Sequence, residues 1–214
     1  QTRMSVPAKI DPSALPMQTR AARIDTVNAE KRTVDVVFTT GAMVRRQRFV
    51  GWDTAVPFDE ILEVSRTAIN MERLEAGAPA LDSHSTWSTF QQVGVVERAW
   101  IDGGKGLATI RFPSKGVDEA ADRMFAMVQE GIIRNVSVGY SINEVRVEQP
   151  EKVGEVEKRI VTRWTPYEIS FVTVPADKDA QTRSGDTEVF PCEITRADDA
   201  SAALARMRMR QAYI

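Results

Sequence analysis

The sequence predicts a β-rich α+β domain, and three observations carry that prediction. Several stretches alternate apolar and polar residues with a period of two and end at Gly- or Pro-containing turns. Within the first 178 residues only two stretches repeat apolar residues at helical spacing. The 214 residues are enough for one domain with a proper core plus additional termini.

The elements follow in order. Residues 1–22, punctuated by Pro7, Pro12 and Pro16, read as a flexible leader or propeptide. Val34, Val36 and Phe38 alternate with Thr33, Asp35 and Val37 as a strand. After Thr40-Gly41, residues 43–50 return as its hairpin partner and carry Arg45, Arg46 and Arg48. Such a basic run is most often a solvated face; the sharper reading is a site for an acidic peptide or RNA. Ser65 is placed to cap a short helix containing Ile69, Met71 and Leu74, closed by Gly77 and Pro79. Residues 80–84 read as a short buried strand ending at His84. Residues 92–100 and 107–112 form a hairpin around Asp102-Gly103-Gly104-Lys105-Gly106.

Ser114 is placed to cap the second helix, whose stripe runs through Val117, Ala121, Met124 and Val128 to a closing Gly131. Strands are expected at 136–147, 156–164 and 168–174. Residues 23–178 form the main domain. Residues 179–214 form a linker and a helical tail, with Ala200, Ala203, Leu204 and Met207 on one side.

Composition excludes several classes. The apolar fraction is 43%, the charged fraction 27% and the net charge −2, so nothing global favours specific nucleic-acid binding. The longest apolar runs are too short to span a bilayer, and the first residues lack a signal-peptide core. The first residue is Gln1, which suggests processing or an excised segment. Cys192 is the only cysteine and His84 the only histidine, so neither an internal disulfide nor a His/Cys zinc site is expected. No metal or cofactor is called for.

His84 can still serve as a general base. In Asn135-Val136-Ser137-Val138-Gly139-Tyr140-Ser141-Ile142, strand alternation puts the valines, Tyr140 and Ile142 on one face. Ser137, Gly139 and Ser141 share the other, which is small and polar, as a nucleophile facing a substrate backbone requires. A serine needs a neighbouring base to attack. Glu168 opens the strand Glu168-Ile169-Ser170-Phe171-Val172 and is placed to orient an imidazole. Asp82, two residues before His84, is the rival carboxylate, and Asp177 a weaker one. Taken singly, Ser137 is more often a wetted strand serine and His84 a satisfied core histidine. Cys192, within Phe190-Pro191-Cys192, is the less favoured nucleophile, and no Gly-x-Ser-x-Gly elbow occurs.

Together these segments resemble the prohead (capsid maturation) proteases of tailed bacteriophages, a family related in fold to the herpesvirus assembly proteases. The resemblance lies in Leu81-Asp82-Ser83-His84, Gly94-Val95-Val96, Glu130-Gly131 through Tyr140, and Glu168 to Val172 with Pro175-Ala176. Ser83 departs from it, standing where many relatives carry an acidic or amide residue.

The resemblance implies a small, mostly antiparallel β-barrel flanked by helices. It implies a serine endopeptidase with Ser137 as nucleophile, His84 as base and Glu168 as third member. It further implies cleavage of the scaffolding segment of the major capsid protein and of the chain itself, inside the assembling prohead in the host cytoplasm. Self-association is a further expectation. The rival is a non-catalytic assembly or scaffold protein that retains the fold.

Overall fold

The computed structural model describes residues 15–16, 18–50, 54–152, 154–173, 189–190 and 193–196. The elements in chain order are β1 (Leu15–Pro16), β2 (Gln18–Asn28), β3 (Thr33–Thr39), β4 (Val44–Val50), β5 (Thr54–Leu62), α1 (Glu72–Glu75) and β6 (Pro79–Asp82). There follow β7 (Gln92–Asp102), β8 (Lys105–Arg111), α2 (Glu119–Gln129), β9 (Asn135–Glu148), β10 (Glu157–Val172), β11 (Val189–Phe190) and β12 (Glu193–Arg196).

Seven strands close on themselves in the order β9-β2-β3-β8-β7-β6-β10, because β10 pairs back onto β9. Every seam of this barrel is antiparallel except β6–β10. Closure leaves no free edge among the seven strands over the paired registers. The interior is filled by Val34, Val36, Phe38, Ile110, Tyr140 and Trp164, all buried. Burying each such large side chain stabilises the fold by roughly 2–3 kcal/mol. Phe38 and Tyr140 both meet Trp164 edge-on, and the Trp164 indole donates to the Glu63 carbonyl at 2.9 Å. α2 packs against the barrel through Phe125, whose ring contacts Phe112, which in turn contacts Phe171.

The Gly103-Gly104 hairpin forms between β7 and β8, with φ of +53° and +72° at the two glycines. Left-handed conformation at both central positions is what a type I′ turn needs. Other local expectations change. β4 pairs with β5 and not with β3, which is flanked by β2 and β8. Barrel closure claims both edges of β3, so the arginine strand lies outside the barrel, beyond β5. α2 is capped by Asp118, whose side chain accepts from Ala121 N, and not by Ser114. The first helix is one turn, Glu72–Glu75, while Ser65 caps only a tight turn by accepting from Ala68 N. The two strands expected around Trp164 and Ile169 are one, β10, which runs through Pro166.

β2 begins at Gln18, and Gln18 to Arg23 pair with Tyr140 to Asn135 of β9. β12 pairs in parallel with Glu144–Val147 of β9. Strand pairing therefore reaches residues on both sides of the boundaries expected at 22 and 179. Ala200, Ala203, Leu204 and Met207 of the expected tail helix lie outside the described residues. No helix among the described residues is long and apolar enough to cross a membrane.

The three arginines of β4 are ion-paired to carboxylates. Arg45 pairs with Asp59, Arg46 with Glu60 at 2.8 Å, and Arg48 with Glu157 at 3.4 Å. Tyr140 also donates to the Glu60 carboxylate at 2.6 Å, which ties the β4–β5 arm to the barrel. Burial favours the neutral form of Glu157, but Arg159 at 2.7 Å and Arg48 outweigh it and hold its carboxyl below the usual range.

A carboxyl lowered on folding stabilises above its unfolded pKa, and that contribution is lost as pH falls through the folded value. Glu157→Gln is expected to cost about 1 kcal/mol at neutral pH. The difference from wild type should shrink as pH falls below the ordinary Glu value of about 4.3, as denaturant titrations at a series of pH values will read.

Candidate active site

The site is built on two adjacent strands and one turn. Val136, Val138, Tyr140 and Ile142 of β9 face the barrel core. Ser137, Gly139 and Ser141 therefore face the other way, and all three are buried. Across the β9–β10 ladder, Ser137 stands opposite Ser170 and Gly139 opposite Glu168. Directly opposite residues on one face have Cβ atoms about 5 Å apart. Ser137, Ser170 and Glu168 thus form one polar patch on the outside of the barrel wall.

A bulge puts Glu168 there. Pro166 pairs with Tyr140 and Glu168 with Gly139, so Tyr167 is an extra residue on β10. Without it, strict alternation would turn Glu168 into the apolar core. The Tyr167 hydroxyl accepts from Ser141 Oγ at 3.3 Å, and the Arg73 guanidinium lies over its ring. Pro166, which cannot donate to a ladder, is the one sequence signal for this irregularity.

Gly139 has a different task from the one expected. A Cβ at this position would lie 2.2 Å from Glu168 Oε1 and 3.0 Å from its Cδ. The missing side chain does more than keep this face small: it makes room for the carboxylate.

His84 is not on a strand. β6 stops at Asp82, and Ser83 and His84 both adopt left-handed backbone, with φ of +53° and +59°. Two successive non-glycine residues in this region cost on the order of 1–3 kcal/mol each. The turn is held by Ser83 N donating to the Phe171 carbonyl at 3.0 Å and His84 N donating to Ser170 Oγ at 3.0 Å. Since the strand ends before His84, Asp82 does not share a strand face with it. Its carboxylate accepts from Ser83 Oγ at 2.8 Å. Asp177 and Cys192 lie outside the described residues.

The imidazole meets Glu168. Nδ1 lies 2.6 Å from Oε1, while Ser170 Oγ donates to Oε2 at 2.5 Å. The carboxylate is 2% exposed and the imidazole 23%. An ionised carboxylate only accepts, so against one Nδ1 is the donor, and in a neutral imidazole Nε2 is then the acceptor. Ser137 Oγ is buried and makes no hydrogen bond. Buried hydroxyls without partners are rare and call for a physical reason. Ser170, which meets the His84 backbone N–H and the Glu168 carboxylate, drew no role from the sequence because its partners come from a distant turn and its own strand. Among the described residues, no cluster of three or more His, Cys, Asp or Glu side chains is placed to hold a metal.

Residues 76–191, which contain all three candidate residues, match the family model of the caudovirus prohead serine proteases. The chain belongs to that family. As a family member it is also similar to the major capsid protein of Halomonas phage phiHAP-1 (isolate -/Gulf of Mexico/-/2001). The two are 43% identical over 119 residues, covering 55% of this chain and 19% of that protein. The chain thus spans less than a fifth of the length of this relative. Among solved structures it matches the bacteriophage T4 capsid assembly protease, gp21, at 12% identity and a TM-score of 0.38. That match covers 73% of this chain and 98% of the other.

Proposed function

We propose that the chain is the serine endopeptidase of phage capsid maturation, cutting the scaffolding segment of the capsid protein, and itself, within the assembling prohead of the infected cell. The observation that carries this reading is the 2.6 Å contact between the chain's single imidazole and a buried carboxylate, beside the strand face of Ser137. Family membership and the capsid name of a relative support capsid protein as substrate and partner. The closed barrel is in keeping with an architecture of the herpesvirus assembly-protease kind.

In this mechanism His84 Nε2 takes the proton of Ser137 as Oγ attacks the scissile carbonyl. Glu168 stays ionised, holds the tautomer and stabilises the imidazolium. The imidazolium then gives its proton to the leaving amine, and an acyl-enzyme remains. Water, deprotonated by His84, releases the acid and restores Ser137. Backbone N–H groups hold the oxyanion, each such donor contributing about 3 kcal/mol. The His84–Ser137 hydrogen bond forms with substrate in place, as catalytic contacts often do.

One observation favours a second reading, a non-catalytic assembly protein on the same fold: Ser137 Oγ has no hydrogen bond to any base. Intact mass spectrometry of a co-expressed capsid precursor separates the two. Discrete cleavage with the wild-type chain and an uncut precursor with Ser137→Ala is the expected result. An uncut precursor with both would favour the assembly reading.

A further inference from the structure

The polar patch contains a group that the proposed chemistry does not use. Ser170 is fully buried on β10, directly across from Ser137. Its hydroxyl accepts from the His84 backbone N–H at 3.0 Å and donates to Glu168 Oε2 at 2.5 Å. The bookkeeping of hydrogens leaves little freedom. A backbone N–H can only donate, so Oγ accepts from His84. The hydroxyl proton then goes to Glu168, which accepts as a carboxylate.

One strand face therefore grips His84 twice. Glu168 holds the side chain at Nδ1, and Ser170, two residues on, holds the backbone of the same residue. That backbone sits in a left-handed turn with no strand pairing of its own beyond Ser83. Chain segments more than eighty residues apart are joined through one hydroxyl.

We propose that Ser170 is a positioning residue that locks His84 and Glu168 into one unit, holding the imidazole in the tautomer and orientation that Ser137 requires. This rests on the protease reading above, but it makes its own prediction. Without the hydroxyl, Glu168 Oε2 loses its donor and the carboxylate can turn. The His84 turn loses one of the few bonds that hold it. Both errors displace the same imidazole.

The test uses the full chain as wild type, Ser170→Ala, the near-isosteric Ser170→Cys, Glu168→Gln, and Ser170→Ala with Glu168→Gln. The first readout is the rate at which a fluorophosphonate probe labels Ser137. The second is the proton resonance of the imidazole N–H, which is unambiguous because the chain has one histidine.

Ser170→Ala is expected to slow labelling about 100-fold, as misplacement of a reacting group by about 1 Å does. Ser170→Cys, with a weaker donor, should fall between it and wild type. Because both residues act on the one imidazole, the loss in the double variant should fall well short of the product of the two single losses. The wild-type imidazole N–H should resonate far downfield, and in Ser170→Ala it should move upfield or broaden away.

Labelling of Ser170→Ala at the wild-type rate with an unmoved resonance overturns the proposal. So do single losses that multiply in the double variant. If the wild-type chain is not labelled at all, the protease reading fails by itself. The resonance in Ser170→Ala, or in Ser170→Cys should the alanine variant not fold, still decides the clamp.

Discussion

Ser137→Ala is expected to lower peptide cleavage by about 10⁴-fold or more while leaving the protein as stable as wild type, or more so. The first part follows from the proposed mechanism, in which Ser137 is the nucleophile and its removal leaves only binding and oxyanion stabilisation. The second follows from burial. Ser137 Oγ has no hydrogen bond in a site with no exposure. An unsatisfied buried hydroxyl costs about 1–3 kcal/mol, and replacing it with hydrogen removes that cost while opening little space. A gain of up to about 1 kcal/mol in denaturant titration, together with lost cleavage, would mark Ser137 as a site where stability is given up for activity. Unchanged cleavage would identify another nucleophile. Lost cleavage with a large loss of stability would mean that the hydroxyl serves the fold.

Gly139→Ala is expected to damage both activity and stability, and in a way that a second substitution repairs only in part. The new Cβ would stand 2.2 Å from Glu168 Oε1, 3.0 Å from Cδ and 3.1 Å from Cγ. The backbone of β9 cannot retreat, since β2 pairs along one edge here and β10 along the other. Glu168 must therefore turn away from His84 and Ser170 while still buried.

Breaking up such a buried charged group costs about 3–5 kcal/mol, and some relaxation of the carboxylate toward water will lower that figure. Loss of the orienting carboxylate lowers turnover by up to about 10⁴-fold. Adding Glu168→Ala to Gly139→Ala vacates the contested space. Thermal unfolding should show most of the stability regained, with cleavage no better than in either single variant. If Gly139→Ala melts and cleaves like wild type, Glu168 has another place to sit, and its contact with His84 is not needed.

Local order was legible wherever neighbours in sequence decide it. Gly103-Gly104 announced the hairpin, since both residues must be left-handed there and glycine pays least for it. The apolar stripe of α2 faces the core at Ala121, Met124 and Val128, as its spacing indicates, while Val117, expected to head that stripe, precedes the helix and is exposed. The two faces of β9 separated as period-two alternation requires.

Legibility failed where a distant strand competed. β4 has the pattern of a partner for β3, but barrel closure gives both edges of β3 to other strands. His84 closely follows Ala80-Leu81 and looks like the end of their strand. Its turn is stabilised by Phe171 and Ser170, more than eighty residues away in sequence.

The sequence by itself therefore determined the β-rich class, the choice of chemistry-bearing residue types and the family resemblance carried by the motifs between Leu81 and Ala176. A single histidine limits which base chemistry is open, and short motifs in a fixed order survive without knowledge of the fold. Only the tertiary structure decided how those residues meet. The extra residue Tyr167 rotates Glu168 from core to outer face, the absent Cβ of Gly139 makes room for it, and Ser170 ties it to the His84 turn. Each of these depends on the register between β9 and β10, and register is set by cross-strand packing that local sequence does not contain.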